Sequence, residues 1–248
     1  MDQTRMRYRA FLADGLSLGN GASGVAGVLL LLTWQDPAAL AVACLFVFLA
    51  WGFDSVDGLA ARGVERSPAE GAVLDSLCDT SSFAALPAAL LTAYGTRLGP
   101  AVAAAGGLAG IVYFCCAVLR LRRYTVGAVG HASEARTSFE GVPSPVAAMS
   151  VAAAILAAIT GPPVLAWLPL LFAAATAPLM LSRTRYRDTP RLAGWMVRAR
   201  WPIPVLAATA YATRNVAVAL SLFFAAYLAS GALGARERPG RNAVSDAG

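Results

Sequence analysis

The feature that most limits what this chain can become is a series of long apolar runs separated by short segments in which its arginines collect. Runs of that length with few charges cross a bilayer as helices, because hydrocarbon offers no water to satisfy free backbone groups. They lie near 13–33, 38–51, 72–94, 101–119, 143–159 and 163–181, and the second continues helically into Phe53 and the residues after it. A further apolar length, 203–231, is interrupted by Arg214 and Asn215, which predicts two short helices around a turn. The expected fold is therefore all-α: a polytopic membrane helical bundle with a six-helix core and two C-terminal helices.

Composition agrees, with 58% apolar and 14% charged residues and a mean hydropathy of +0.61, outside the range of soluble domains. All 20 basic residues are arginines. In the eight-helix arrangement eighteen of them fall on one side, against Arg97 and Arg214 on the other. By the positive-inside rule the chain is expected in the cell membrane with both termini and the 54–79 stretch cytoplasmic. The same asymmetry accounts for the basic charge without nucleic acid, which is not expected as a partner. Met1 to Arg9 is polar and basic, and the run after it lacks a small-residue cleavage site, so it reads as a span and not a cleaved signal. Cys44, Cys78, Cys115 and Cys116 show no CxxC spacing and read as free thiols in apolar helices. Four divisions follow: a juxtamembrane segment 1–12, a transmembrane core 13–182, a basic loop with C-terminal helices 183–232, and a disordered tail 233–248.

Against this background four aspartates stand out: Asp54, Asp57, Asp75 and Asp79. An ionisable group at membrane depth costs several kcal/mol unless paired, solvated or bound to an ion. On helices, Asp54, Asp57, Gly58 and Ala61 share one stripe at the end of the second span, and Gly71, Asp75 and Asp79 share another at the start of the third. Helices joined by a short loop are antiparallel neighbours, so the two stripes can converge. Converging carboxylates cannot all ionise without a cation, and an all-oxygen set suits a hard divalent ion, Mg²⁺ or Mn²⁺. Gly58, Ala61 and Gly71 remove side-chain bulk where a large ligand would approach the backbone. Helix capping and pairing with Arg62 and Arg66 is the simpler reading of any one of these aspartates, and it does not account for four with glycines between them.

The pattern D-x2-D-G-x2-A-R-x8-G-x3-D-x3-D, met by Asp54, Asp57, Gly58, Ala61, Arg62, Gly71, Asp75 and Asp79, resembles the signature of CDP-alcohol phosphatidyltransferases. The resemblance implies a membrane enzyme with a six-helix catalytic core, usually a homodimer, that moves a phosphatidyl group from a CDP-linked lipid to an alcohol and releases CMP. It implies metal ligation by Asp54, Asp57 and Asp75 together with Asp79, with Asp79 also the general base. Gly58, Ala61, Arg62 and Gly71 would bind the CDP-lipid nucleotide.

Other segments resemble the phosphatidylserine synthase branch: Leu16 to Asn20, Arg120 to Tyr124, Phe139 to Pro145, and Leu179 to Ser182 with Arg185 and Tyr186. Arg122 and Arg183 stand where that branch ordinarily carries a small residue and an asparagine. The implied substrates are CDP-diacylglycerol and L-serine, among membrane lipids. Serine brings a carboxylate as well as a hydroxyl, so its pocket needs a cation; Arg120 and Arg123 are candidates for the acceptor or the lipid phosphates, with Asn20 and Ser144 beside them. Glycerol phosphate or inositol phosphate as acceptor, or an archaeal-type CDP-lipid as donor, would keep the chemistry. A divalent-cation transporter would instead place carboxylates at the bilayer midplane on broken helices, often with repeat symmetry, and this chain shows neither.

Overall fold

Prolines open three of the long helices, at Pro37, Pro68 and Pro100, where a missing N–H costs nothing and the fixed φ already suits the first turn. The computed structural model describes residues 3–34, 36–60, 68–130, 139–182, 184–186 and 215–234. They form α1 (Gln3–Thr33), α2 (Pro37–Ala60), α3 (Pro68–Asp79), a π-helical segment (Thr80–Ala85), α4 (Leu86–Arg97), α5 (Pro100–Gly130), α6 (Ser144–Thr160), a 3₁₀ segment (Pro163–Trp167), α7 (Leu168–Leu181) and α8 (Val216–Gly234). The all-α expectation holds, with one addition. Two-residue strands β1 (Phe139–Glu140) and β2 (Arg185–Tyr186) pair antiparallel, Phe139 with Tyr186 and Glu140 with Arg185.

Among the described residues, four stretches are long and apolar enough to cross a membrane: Phe11–Thr33, Ala38–Val56, Pro100–Val126 and Pro163–Leu181. The chain is a multi-pass membrane protein. The shorter α6 lies at the centre, buried along nearly all of its length, with α2, α4, α7 and α8 packed around it. Small side chains make this possible: a helix of alanine, serine and valine lets neighbouring backbones approach closely, which is how helices associate where lipid removes the hydrophobic drive.

The third predicted span is continuous but not uniform, and its π-helical segment was not foreseen. Its cause is local. Thr80, Ser81 and Ser82 turn their hydroxyls back onto the carbonyls of Ser76 and Cys78, and side chains inserted in this way loosen the i→i−4 ladder. Pro87, which has no N–H, then leaves the Phe83 carbonyl without its regular partner. The fully buried Tyr113 of α5 donates its hydroxyl to that carbonyl at 3.2 Å.

Two further differences concern helix ends. The fourth span was expected to run to about Leu119 and end in Arg120, Arg122 and Arg123; α5 instead runs to Gly130, with Arg120 buried and Arg122 and Arg123 exposed. Long arginine stems lie along a helix while their heads reach polar ground, so a basic cluster does not end one. The turn expected at Arg214 is supported from one side. Asn215 caps α8, accepting from the backbone N–H groups of Ala217 and Val218 at 2.9 and 3.2 Å, and its amide donates to Thr160 at the far end of α6. The helix expected before that turn, most of the basic stretch 183–200, His131 and the C-terminal tail lie outside the described residues.

α1 seats against α3 and the π segment through its glycines. A Cβ at Gly24 would come within 2.5 Å of the Ser82 backbone nitrogen and 2.6 Å of the Ser81 carbonyl carbon. Backbone cannot yield as a flexible side chain can. Gly24→Ala should therefore destabilise the protein by about 1–3 kcal/mol, read as a lowered unfolding midpoint in detergent, and an unchanged midpoint would contradict this seating.

Candidate active site

Asp54 near the end of α2 and Asp75 and Asp79 on α3 converge as the antiparallel helix pair requires. One carboxylate oxygen from each lies within 4.8 Å of the others. Asp54 and Asp75 are half-buried, whereas Asp79 is only 8% exposed. Three like charges at this spacing repel strongly at low dielectric. A hard divalent ion removes the conflict, and the span is close to the ~4 Å between opposite oxygen ligands of such an ion. The donor set, its spacing and its partial burial therefore fit a divalent cation of the magnesium class.

The fourth aspartate, Asp57, and Gly58 lie on the last turn of α2, but their side chains fall outside the description. Ala61 and Arg62 lie outside the described residues altogether. Gly71 is on α3, one turn before Asp75, and half-buried. The backbone thus brings the two predicted stripes together as far as it is described.

Two other elements reach the cluster. From α1, the fully buried Asn20 donates its Nδ2 to Asp79 Oδ1 at 2.8 Å. From α5, Arg120 is 9% exposed and lies within electrostatic range of the Asp79 carboxylate. Its Nη1 donates to Ser144 Oγ at 2.6 Å, on the first turn of α6, while its Nε is buried without a hydrogen-bond partner among the described residues. A buried guanidinium with a donor to spare is suited to an anion. Asn20, Arg120 and Ser144, singled out separately in the sequence, are thus brought to one place by α1, α5 and α6. Arg123 is exposed and donates to the Leu181 carbonyl at the end of α7, where a cation also meets the negative end of the helix dipole.

The turn that leads into α6 and its Ser144 is fixed by backbone. Gly141 N–H donates to the Thr184 carbonyl at 2.7 Å and Val142 N–H to the Leu179 carbonyl at 3.1 Å. Gly141 has φ +79°, and a Cβ there would stand 2.4 Å from the Met180 carbonyl oxygen. Two of the segments set apart in the sequence, Phe139 to Pro145 and Leu179 to Ser182 with Arg185 and Tyr186, are therefore partners in one structure. The residues that seat α1 against the third span, Gly21, Gly24 and Ser81, lie outside the carboxylate cluster and were not anticipated. Their signal was present as small residues three apart at Gly21, Gly24 and Gly27 on the span that carries Asn20.

Residues 10–182 match the family model described as CDP-alcohol phosphatidyltransferase. The chain belongs to that family. Among relatives, it is 34% identical over 142 residues to the archaetidylserine synthase of Methanothermobacter thermautotrophicus. It is 31% identical over 147 residues to the CDP-diacylglycerol–serine O-phosphatidyltransferase of Saccharomyces cerevisiae, and 30% over 142 residues to the protein of that name from Mycobacterium leprae. Each match covers 56% of this chain, and 55%, 51% and 45% of the three relatives, so the chain spans about half of their length. The family-matched segment holds every site residue described above and stops before α8.

If the carboxylates form a metal centre, Asp54→Asn and Asp75→Asn should each weaken Mn²⁺ binding by more than the ~10-fold that loss of an outer-shell partner costs. The electron paramagnetic resonance signal of free Mn²⁺, titrated with detergent-solubilised protein, measures this. Unchanged affinity would remove the residue from the ligand set.

Proposed function

We propose that this protein transfers a phosphatidyl group from CDP-diacylglycerol to L-serine, giving phosphatidylserine and CMP. The observation that carries the reading is the convergence of Asp54, Asp75 and Asp79 beside the buried Arg120, in a chain of this family. Mg²⁺ or Mn²⁺ would be held by Asp54, Asp75 and Asp79, with Asp57 from the same turn of α2 as a further ligand. Bound there, the ion supplies positive charge for the diphosphate and for the CMP leaving group.

The chain's own residues carry the rest. Asp79 accepts the proton of the serine hydroxyl as its oxygen attacks the lipid-bearing phosphorus. The new phosphorus–oxygen bond forms as the bond to the bridging diphosphate oxygen breaks, and the electron pair leaves with CMP. Arg120, held by Ser144, faces the serine carboxylate, and Arg123 stands at the same end of the bundle for lipid phosphate. Gly58, Ala61, Arg62 and Gly71 form the nucleotide side. A phosphorylated acceptor such as glycerol phosphate or inositol phosphate carries more negative charge and would need more cations around the pocket than Arg120 supplies.

The relatives' names support serine as acceptor, since two are CDP-diacylglycerol–serine O-phosphatidyltransferases and one an archaetidylserine synthase. The last of these favours a second donor, an archaeal-type CDP-lipid, with the same acceptor and chemistry. The arginine distribution supports a cytoplasmic site with both termini on the same side, where nucleotide and serine are available, and a homodimer is the expected assembly.

With purified protein, Mn²⁺ or Mg²⁺, each donor and a panel of alcohols, CMP release should appear with L-serine. Release with glycerol phosphate but not serine would overturn the acceptor assignment, and none with any alcohol would overturn the transferase reading. Asp79→Asn should abolish turnover while CDP-diacylglycerol binding stays measurable in an equilibrium binding assay. Retained activity would take the base role from Asp79.

A further inference from the structure

We propose that Asn20 is the positioning residue for Asp79: its carboxamide N–H holds the carboxylate in the orientation that turnover needs. This rests on the reading above, in which Asp79 takes the acceptor's proton.

An ionised carboxylate accepts hydrogen bonds and donates none, so the face of the Asn20 amide turned to Asp79 is its NH₂ group. The 2.8 Å separation is that of a charge-assisted bond. The opposite end of the amide is left over. Asn20 Oδ1 is buried without a hydrogen-bond partner among the described residues, in a side chain with no exposure at all. An asparagine kept only for packing gains nothing from an unsatisfied buried oxygen, since a leucine of similar size would fill the space without it. The arrangement makes sense through the bond at the other end.

The backbone on both sides fixes the reach of that bond. A Cβ at Gly21 would meet Cys78 Sγ at 3.0 Å, and one at Gly24 would meet the Ser82 backbone at 2.5 Å. Ser81 Oγ lies 3.0 Å from the Gly21 carbonyl oxygen, across the same helix contact. α1 therefore cannot slide along α3, and the distance from Asn20 to Asp79 is set by helix seating. Asp79 has two carboxylates near it that push its own away. The Asn20 donor is a neutral, directional restraint that holds one oxygen toward α1 against that repulsion. Losing it removes a directional restraint from a carboxylate that proton transfer requires to be placed within a few tenths of an ångström.

Steady-state CMP release by the full-length protein in detergent tests this with two variants, both using an alcohol that the wild type accepts. Asn20→Leu removes the donor to Asp79; Ser81→Ala removes a bond across the same interface without touching the carboxylate. Asn20→Leu should lower kcat about 100-fold, the scale of a 1 Å misplacement, with the KM for CDP-lipid changed by less than about threefold. Ser81→Ala should keep kcat near that of the wild type. Equal losses in both variants would assign Asn20 to helix packing and overturn the proposal. A raised acceptor KM with kcat retained would make it a direct acceptor contact and overturn it as well. If the leucine variant does not fold, Asn20→Asp, of the same shape with a second carboxylate in place of the donor, must show the kcat loss; full kcat there overturns the proposal. A wild type silent toward every alcohol defeats the transferase reading and this inference with it. An active wild type with a full-rate Asn20→Leu defeats the inference alone.

Discussion

Repulsion among carboxylates is the constraint on which the rest of this molecule depends. Asp54, Asp75 and Asp79 bring three oxygens within 4.8 Å of one another, at the edge of a bundle whose other contacts are almost wholly apolar. No packing arrangement of leucine and alanine compensates such a cluster, because dispersion is short-ranged and nearly indifferent to charge. Compensation has to be electrostatic, and each polar group nearby takes part in it. Arg120 is the buried cation, Asn20 the neutral donor, and Ser144 the hydroxyl that holds the guanidinium. A hard cation would complete this set, which without one favours protonation.

These polar groups come from five separate helices, α1, α2, α3, α5 and α6, and they meet only if the backbones approach closely. Close approach is obtained with small residues at the contacts and with one irregularity. On α1, glycines at 21 and 24 seat the helix against Cys78 and Ser82. On the third span, the π segment begins at the residue after Asp79, so the backbone widens directly beyond that carboxylate. The carbonyl left over by Pro87 is taken by Tyr113 of α5, which also ties α5 to α3 a few turns from Arg120. A loosened helix beside a functional carboxylate is stable here because every hydroxyl around it finds a backbone acceptor.

The helical bundle was legible because hydrophobic length is a one-dimensional signal, which bilayer thickness converts directly into candidate spans. The aspartate stripes were legible because helical spacing places i and i+4 on one face whatever the tertiary structure does. The helix ends were less so: the arginines after Leu119 look like a loop, yet their stems let α5 continue to Gly130. The π segment was hidden because Thr80, Ser81 and Ser82 are equally compatible with a regular helix. The carbonyl that Pro87 leaves over is met by a tyrosine 30 positions away along the chain. The bond from Asn20 to Asp79 joins positions 59 apart, and nothing in local pattern links them. What the sequence did carry was the polar residue in an apolar helix and the small residues beside it, and the structure makes these two observations one.

The central helix explains why the site lies where it does. α6 is 17 residues long, about 25 Å at 1.5 Å per residue, which is short of the ~30 Å hydrocarbon thickness. Its neighbours surround it, and each of its ends meets a polar partner from another helix. At one end Ser144 meets Arg120, and at the other Thr160 accepts from Asn215. The second contact belongs to α8, outside the family-matched segment. α8 lies along α6 and closes the face that α2 and α7 leave open, so that the helix positioning Ser144 is held along its length. The C-terminal addition therefore bears on the carboxylate site without contributing a carboxylate: it anchors the far end of the helix whose near end orients the buried arginine.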